Sequence, residues 1–255
     1  MLSRRSLLIS GAIAPLVGLM GQSVSAQSRT FFGIATGGTG GTYYPLGGML
    51  AQLISNNAEL PDQRLSATAE TGNASVANTK LLGRQEIESA FAAADILDAA
   101  YRGVGQFEGK PVTNVRAIGA LYPETVQLVV RADSGIETFE DLVGKSISSG
   151  APGSGQWQLL GDLIEAHGMS RDDLSEDFSS FSQSVEKIKD GNLDASLITA
   201  GAPTSSVTEL SNGHEIRIVP LNGPAIAKLQ EKQPYYVNAI LPAGSYSGVD
   251  QDVET

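Results

Sequence analysis

The chain has 255 residues, 41% of them hydrophobic, with a mean hydropathy of −0.03, enough for one large domain or two lobes but too polar for a polytopic membrane protein. Seventeen basic against 28 acidic residues give a net charge of −11, which makes nucleic acid and anionic lipid poor partners. Cysteine is absent, so disulfides, thiolate metal sites and cysteine nucleophiles are excluded.

Residues 1–26 read as a leader. Arg4 and Arg5 form its positive start, Leu7 to Met20 its apolar stretch, and Val24-Ser25-Ala26 a small-residue cleavage site. The start Ser3-Arg4-Arg5-Ser6-Leu7-Leu8 suits a twin-arginine signal and an ordinary secretory signal equally. Either route places the mature chain in the periplasm. Without the leader, 15 basic and 28 acidic residues remain, a net charge of −13.

After the leader, strand and helix patterns alternate. Phe31 to Ala35 predicts a strand, and Tyr44 to Asn56 a helix with Leu46, Met49, Leu50, Leu53 and Ile54 on one face. Between them lies Thr36-Gly37-Gly38-Thr39-Gly40-Gly41-Thr42-Tyr43. A glycine-rich turn opening into a helix lets backbone approach a ligand and offers free N–H groups to an anion. Arg64 to Ala69 predicts a strand, Ser75 to Gly83 a helix, Glu88 to Ala92 a strand and Ala94 to Arg102 a helix. Gly103 to Thr113 is loop. Val115 to Leu121 and Thr125 to Arg131 predict two strands.

A short helix capped by Thr138 comes next, then a strand from Lys145 to Ser149. Ala151-Pro152-Gly153-Ser154-Gly155 is a second glycine turn, leading into a helix with Leu160, Leu163 and Ile164 on one face. Strand 178–181, helix 183–190, strand 193–198, helix 203–210, strand 216–219, helix 225–231 and strand 237–241 complete the pattern. The alternation predicts α/β layers with parallel sheets. Two glycine turns about a hundred residues apart, in separate sheets, would face each other across a cleft.

The residues in order resemble one family. The segments are Thr36 to Gly47, Thr71-Gly72-Asn73-Ala74-Ser75-Val76-Ala77-Asn78, Leu121-Tyr122-Pro123-Glu124 and Val130 to Ile136. Gly150 to Gly155, Asp190-Gly191 with Asp194-Ala195, Ala200-Gly201 with Pro203, and Leu241 to Tyr246 follow. Together they resemble the TAXI family, the solute-binding subunits of TRAP transporters, across nearly all of the mature chain.

The resemblance implies a two-lobed, periplasmic-binding-protein-like (type II) α/β fold with a ligand cleft between the lobes. Residues 27–120 and 222–255 would form the first lobe and 121–221 the second. It implies a receptor that performs no chemistry; no cofactor and no metal-ligand residues are read in the chain, and a monomer is expected. It would bind a small organic acid, often an amino-acid-like carboxylate, and deliver it to a TRAP membrane permease.

Resemblance and anion-site geometry together select Thr39, Gly40, Gly41, Thr42 and Tyr43 as ligand contacts. Gly72, Asn73 and Ser75 form a second polar turn, where Ser75 is equally a candidate N-cap; Asn78 supports that turn from behind. Tyr122 marks the crossover between lobes, as hinge, cleft floor or core. Ser154, Gly155 and Gln156 would close over the far end of the ligand, with Gly201 nearby, and Ser154 is also a candidate N-cap. The family often has glutamine after the strand at 88–92, where this chain has Ala92-Ala93-Ala94. It usually has threonine where Gln156 stands. It also continues beyond Tyr246, which makes a C-terminally incomplete first lobe the expectation.

Competing chemistries lack their residues. The first turn has neither a phosphate-loop ending nor a dinucleotide fingerprint. No Gly-x-Ser-x-Gly occurs, and His167 and His214 are the only histidines, which disfavours a serine hydrolase. Arg131 is expected to pair with Asp133, and the single tryptophan, Trp157, to pack. A receptor feeding a sensor or chemoreceptor and a truncated, non-functional remnant are the alternatives.

Overall fold

The computed structural model describes residues 28–57, 59–60 and 63–255, and the leader lies outside the described residues. Strand β1 (Ser28–Ala35) alternates, so Phe32 and Ile34 fall on one face. Helix α1 (Tyr43–Asn57) covers that face with Leu46, Leu50, Ala51 and Ile54. β2 (Glu59–Leu60), β3 (Gln63–Glu70) and β4 (Ser89–Ala90) complete a sheet of order β2-β3-β1-β4. β1 runs parallel to β3 and β4. Helices α2 (Ser75–Gly83) and α3 (Ala94–Arg102) pack on each other through Val76, Ile96 and Ala100, with Phe107 from the loop beyond.

The second sheet has the order β7-β6-β8-β5-β9. Its strands are β5 (Thr125–Arg131), β6 (Ser146–Ser148), β7 (Ser175–Asp177), β8 (Ala195–Ala200) and β9 (Ile216–Val219). β5 lies between β8 and β9 and is buried on both faces. Leu128 and Val130 enter a core with α4 (Gln156–Ala166) and α7 (Gly223–Lys232). Val129 enters the opposite core with α5 (Phe181–Lys189) and α6 (Ser205–Gly213). A short antiparallel pair, β10 (Ile240–Leu241) and β11 (Val253–Glu254), ends the chain.

Four expectations are corrected. The second sheet is mixed, because β5 runs antiparallel to both β8 and β9. A strand buried on both faces is a continuous apolar run whichever way it points, so its direction is not written in its composition.

Residues 115–121 form no strand. Ile118 is 94% exposed, no described strand pairs with the segment, and Arg116 donates to the nearby carbonyls of Thr113 and Val115. The strand expected at 178–181 lies earlier, at 175–177. Ser180 caps α5 in a reciprocal box with Gln183, which starts the helix at Phe181.

The apolar side chains of residues 222–255 pack on the second sheet and not in the first lobe's core; from this segment Tyr236 reaches the first lobe, donating to Asp95 at 2.9 Å. Ile226 and Leu229 of α7 join the α4 core, and Leu241, Tyr246 and Val249 join the opposite one. The Tyr246 hydroxyl accepts from Thr204 N at 2.8 Å and donates to Gln127 Oε1 at 2.5 Å, inside the second lobe.

Candidate ligand-binding site

The first glycine turn hangs from a buried frame. Thr36 donates its amide and hydroxyl to Glu70 O at 2.9 and 2.7 Å. Gly72 N donates to Gly37 O at 3.3 Å. Asn78, fully buried, donates to Thr36 O at 2.9 Å, to Phe91 O at 2.8 Å and more distantly to Ala35 O at 3.4 Å. One amide thus ties β1, the loop after β4 and α2 together behind the turn. α1 begins at Tyr43, so its first N–H groups have no partner within the helix and carry the positive end of its dipole.

The second lobe meets this turn directly. Gly201 N donates to Thr42 Oγ1 at 3.0 Å. Ser205 Oγ and Ser206 N donate to Gly40 O at 3.0 and 3.3 Å. Phe181 lies against Gly41, where a Cβ would stand 3.3 Å from its ring. A second junction forms where Ala77 N donates to Gly153 O at 2.9 Å and Gln106 Nε2 to Ser154 O at 3.4 Å. There Gly155 approaches α3, and a Cβ on it would sit 3.0 Å from Ile96 Cγ1.

Between these junctions lie the remaining polar groups. The Tyr43 hydroxyl meets Ser75 Oγ at 3.4 Å, and Ser75 Oγ accepts from Ala93 N at 3.0 Å. The Tyr43 ring lies 5.1 Å from Phe91 and 6.4 Å, edge on, from Tyr122. A Cβ on Gly201 would stand 3.5 Å from the Tyr122 ring, and among the described residues the buried Tyr122 hydroxyl has no hydrogen-bond partner. Gln156 donates through Nε2 to Thr199 Oγ1, while its Oε1 and the Ser154 hydroxyl are buried without partners among the described residues.

The structure therefore brings Gly40, Gly41, Thr42, Tyr43, Ser75, Tyr122, Ser154, Gly155, Gln156 and Gly201 to one inter-lobe region. Thr39, Gly72 and Asn73 stand exposed at its rim. Neither serine caps its helix: Ala74 is the N-cap of α2 and Gly155 that of α4, both without a side-chain cap bond. Ser75 is instead the first helical residue and faces Tyr43. Arg131 pairs with Asp133 at 3.0 Å. Trp157 is 37% exposed with the Arg171 guanidinium 4.1 Å from its ring, beside a groove of about 810 Å³ that Phe178 and Pro152 also line.

Sequence reasoning missed Glu124, Asp95, Phe181 and the Ser205-Ser206 pair. Glu124 lies next to Tyr43 and Tyr122, and burial together with the nearby Asp95 charge pushes its carboxyl up to about 7. Burial also raises Asp95, opposed by the Tyr236 hydroxyl that donates to it at 2.9 Å. A glutamate immediately before a largely buried strand was the available signal, since charge at such an edge needs a reason.

The raised carboxyl has a consequence for stability. Its native state favours the neutral form, so its contribution is fully present below the ordinary value of 4.5 and is lost as pH rises towards 7. At about 1.4 kcal/mol per pH unit the loss totals about 3 kcal/mol. Glu124→Gln is therefore expected to be more stable than the parent at pH 8, with the gap shrinking by about 2 kcal/mol at pH 5. Urea unfolding at the two pH values measures it, and a pH-independent gap contradicts it.

A model of the NMT1-like family matches residues 34–255. Among solved structures, the periplasmic aliphatic sulphonate binding protein SsuA from Escherichia coli is 19% identical with a TM-score of 0.51, covering 81% of this chain and 68% of that one. A protein from Bordetella bronchiseptica RB50 is 18% identical with a TM-score of 0.55, over 74% of this chain but only 56% of its own. A structure from work on glutathione import via GshT and the cystine ABC importer TcyBC of Streptococcus mutans is 14% identical with a TM-score of 0.51, over 77% and 79%. These identities speak to fold, and the fold is the α/β architecture of type II periplasmic binding proteins.

Proposed function

The chain belongs to the NMT1-like family, and from that premise we propose that it is an extracytoplasmic solute receptor. It binds a small organic acid in the cleft and presents it to a TRAP-type membrane permease. The observation that carries this reading is the meeting of Gly40 and Thr42 with Gly201, Ser205 and Ser206 across the two lobes. Contacts of this kind form and break as a cleft closes and opens, so a ligand held between them changes what a partner sees. The free N–H groups at the start of α1 suit a carboxylate without a buried arginine. The TRAP assignment rests on the ordered TAXI-like segments, and the leader supports a periplasmic location. No chemistry on the ligand is part of the proposal: the protein acts as a monomeric carrier.

A thermal-shift screen of the purified protein against amino acids, dicarboxylates and keto acids tests this. Ligand at a hundred times its dissociation constant adds about 2.7 kcal/mol to stability, which is about 5–10 °C for a chain of this size. The expected result is such a rise for one chemical class. A cooperative melt that no member moves contradicts the reading.

A further inference from the structure

We propose that Tyr236 latches the two lobes together: its hydroxyl, bonded to Asp95, holds the joined form, and without it the cleft spends more of its time open. The inference deepens the receptor reading above, on which it rests, by adding a positioning residue that acts through the balance of the lobes. Its first ground is placement. Tyr236 belongs to the second lobe by its ring, which packs against the core of α4 and α7. Its hydroxyl crosses to the first lobe and donates to Asp95 Oδ2 at 2.9 Å. Asp95 stands in the first turn of α3, next to the buried Ile96.

The latch closes a line of contacts between α3 and α4. Ile96 approaches Gly155, Gln106 Nε2 donates to Ser154 O at 3.4 Å, and a Cβ on Gly105 would stand 3.2 Å from Gln158 Oε1. Gly155, Gln158 and Asp162 are three and four residues apart, so they share one side of α4. That side faces the first lobe. Asp162 is held on it by Gln158, which donates to its Oδ1 at 3.0 Å.

The second ground is the cost of this junction and what offsets it. Burial raises the carboxyls of both Asp95 and Asp162, and the Asp95 charge raises Asp162 further. Nearby cations are engaged elsewhere: Arg102 pairs with Asp98, Arg171 with Glu176 and Lys232 with Glu165. Among the described residues neither Asp95 nor Asp162 forms an ion pair. A carboxylate taken out of water is costly unless donors meet it, and losing a donor exposes that cost in full. When the lobes separate, water reaches Asp95 and replaces the phenol. The hydroxyl therefore counts in the joined form, where it offsets the burial of Asp95 and the facing charge of Asp162. Tyrosine suits the task, because its ring stays in the apolar core while its polar tip crosses.

The test needs no ligand. The chain has no cysteine, so one spin label can be placed on each lobe at exposed positions, by Gln52→Cys in α1 and Asp172→Cys in the turn before β7. Pulsed double electron–electron resonance on the labelled protein then gives the ratio of joined to separated forms. Tyr236→Phe, which keeps the ring and removes the hydroxyl, is expected to lower that ratio about tenfold with a nearly unchanged melt. In an Asp95→Asn background, where the buried charge is gone, the same substitution is expected to lower it about threefold or less. A ratio that Tyr236→Phe does not move overturns the proposal. So does an equal loss in both backgrounds, or a parent without a joined form. Lower thermal stability with an unchanged ratio assigns Tyr236 to packing alone and overturns it too. Each of these outcomes leaves the receptor reading standing, since that reading is decided by the thermal screen with ligands.

Discussion

Asn78→Ala is expected to destabilise the protein by about 2–4 kcal/mol. Asn78 is fully buried at one turn into α2 and sends its amide to Thr36 O and Phe91 O at 2.9 and 2.8 Å. Truncation removes the Asn78 donor from both carbonyls, and each such loss costs about 1–3 kcal/mol. It also leaves a hole between β1, α2 and the loop after β4. Asn78→Asp is expected to be worse, because a carboxylate would replace the donor and face carbonyl oxygens. The midpoint of urea unfolding reads the loss, and a change under about 1 kcal/mol would mean the turn stands without this support. Because Thr36 carries the first glycine turn, ligand affinity should fall with stability in both variants.

Gly40→Val should do the opposite: leave the melt of the unliganded protein nearly unchanged and weaken ligand binding at least tenfold. Gly40 adopts no left-handed conformation, so a side chain there costs little backbone strain. Its difficulty is the facing lobe. A Cβ would lie 2.4 Å from Ser182 Oγ, 3.2 Å from Ser182 N and 3.2 Å from Ser206 Cβ. The serine hydroxyl can rotate away, but the backbone nitrogen and the Ser206 carbon cannot without moving α5 and α6 back. The branched side chain therefore props the lobes apart at the point where Ser205 and Ser206 hold Gly40 O. Disfavouring the joined form by about 1.4 kcal/mol is a tenfold loss in affinity. Gly40→Ala should show a smaller loss of the same kind. Parent-like affinity in Gly40→Val would show that binding does not need this contact.

Much of this arrangement was legible in the chain. β1, α1, α2, α3 and β5 follow directly from apolar periodicity and from glycine and serine punctuation. The first glycine turn was found because Gly37 to Gly41 stand between a strand pattern and a helix pattern. What was not legible is non-local. The direction of β5 depends on partners far along the chain, β8 and β9, and its largely apolar run is the same in either direction. Residues 115–121 carry a strand's pattern, but an alternating segment becomes a strand only when another strand's edge receives it. The packing of 222–255 on the second sheet is set by Tyr246, whose hydroxyl completes a bond to Gln127 over a hundred residues earlier.

The site followed the same division. Turn residues were found by their own local chemistry. Ser75 and Ser154 sat where caps are expected, yet neighbouring residues took the cap positions and left one serine to Tyr43 and the other buried. Glu124 was overlooked because nothing beside it in sequence is charged; its significance comes from Asp95 and Tyr43, which only the fold brings to it. Ser205 and Ser206 became contacts because α6 starts opposite Gly40.

The central claim is that one ligand engages both lobes where the first glycine turn meets Gly201, Ser205 and Ser206. Hydrogen–deuterium exchange tests it most directly, with and without the carboxylate that gives the largest rise in the thermal screen. The account predicts joint protection of two separate segments, Gly40 to Leu46 and Gly201 to Val207, together with slowed exchange around Gln156. Protection confined to one of these segments, or appearing instead around the groove beside Trp157 and Phe178, would contradict it.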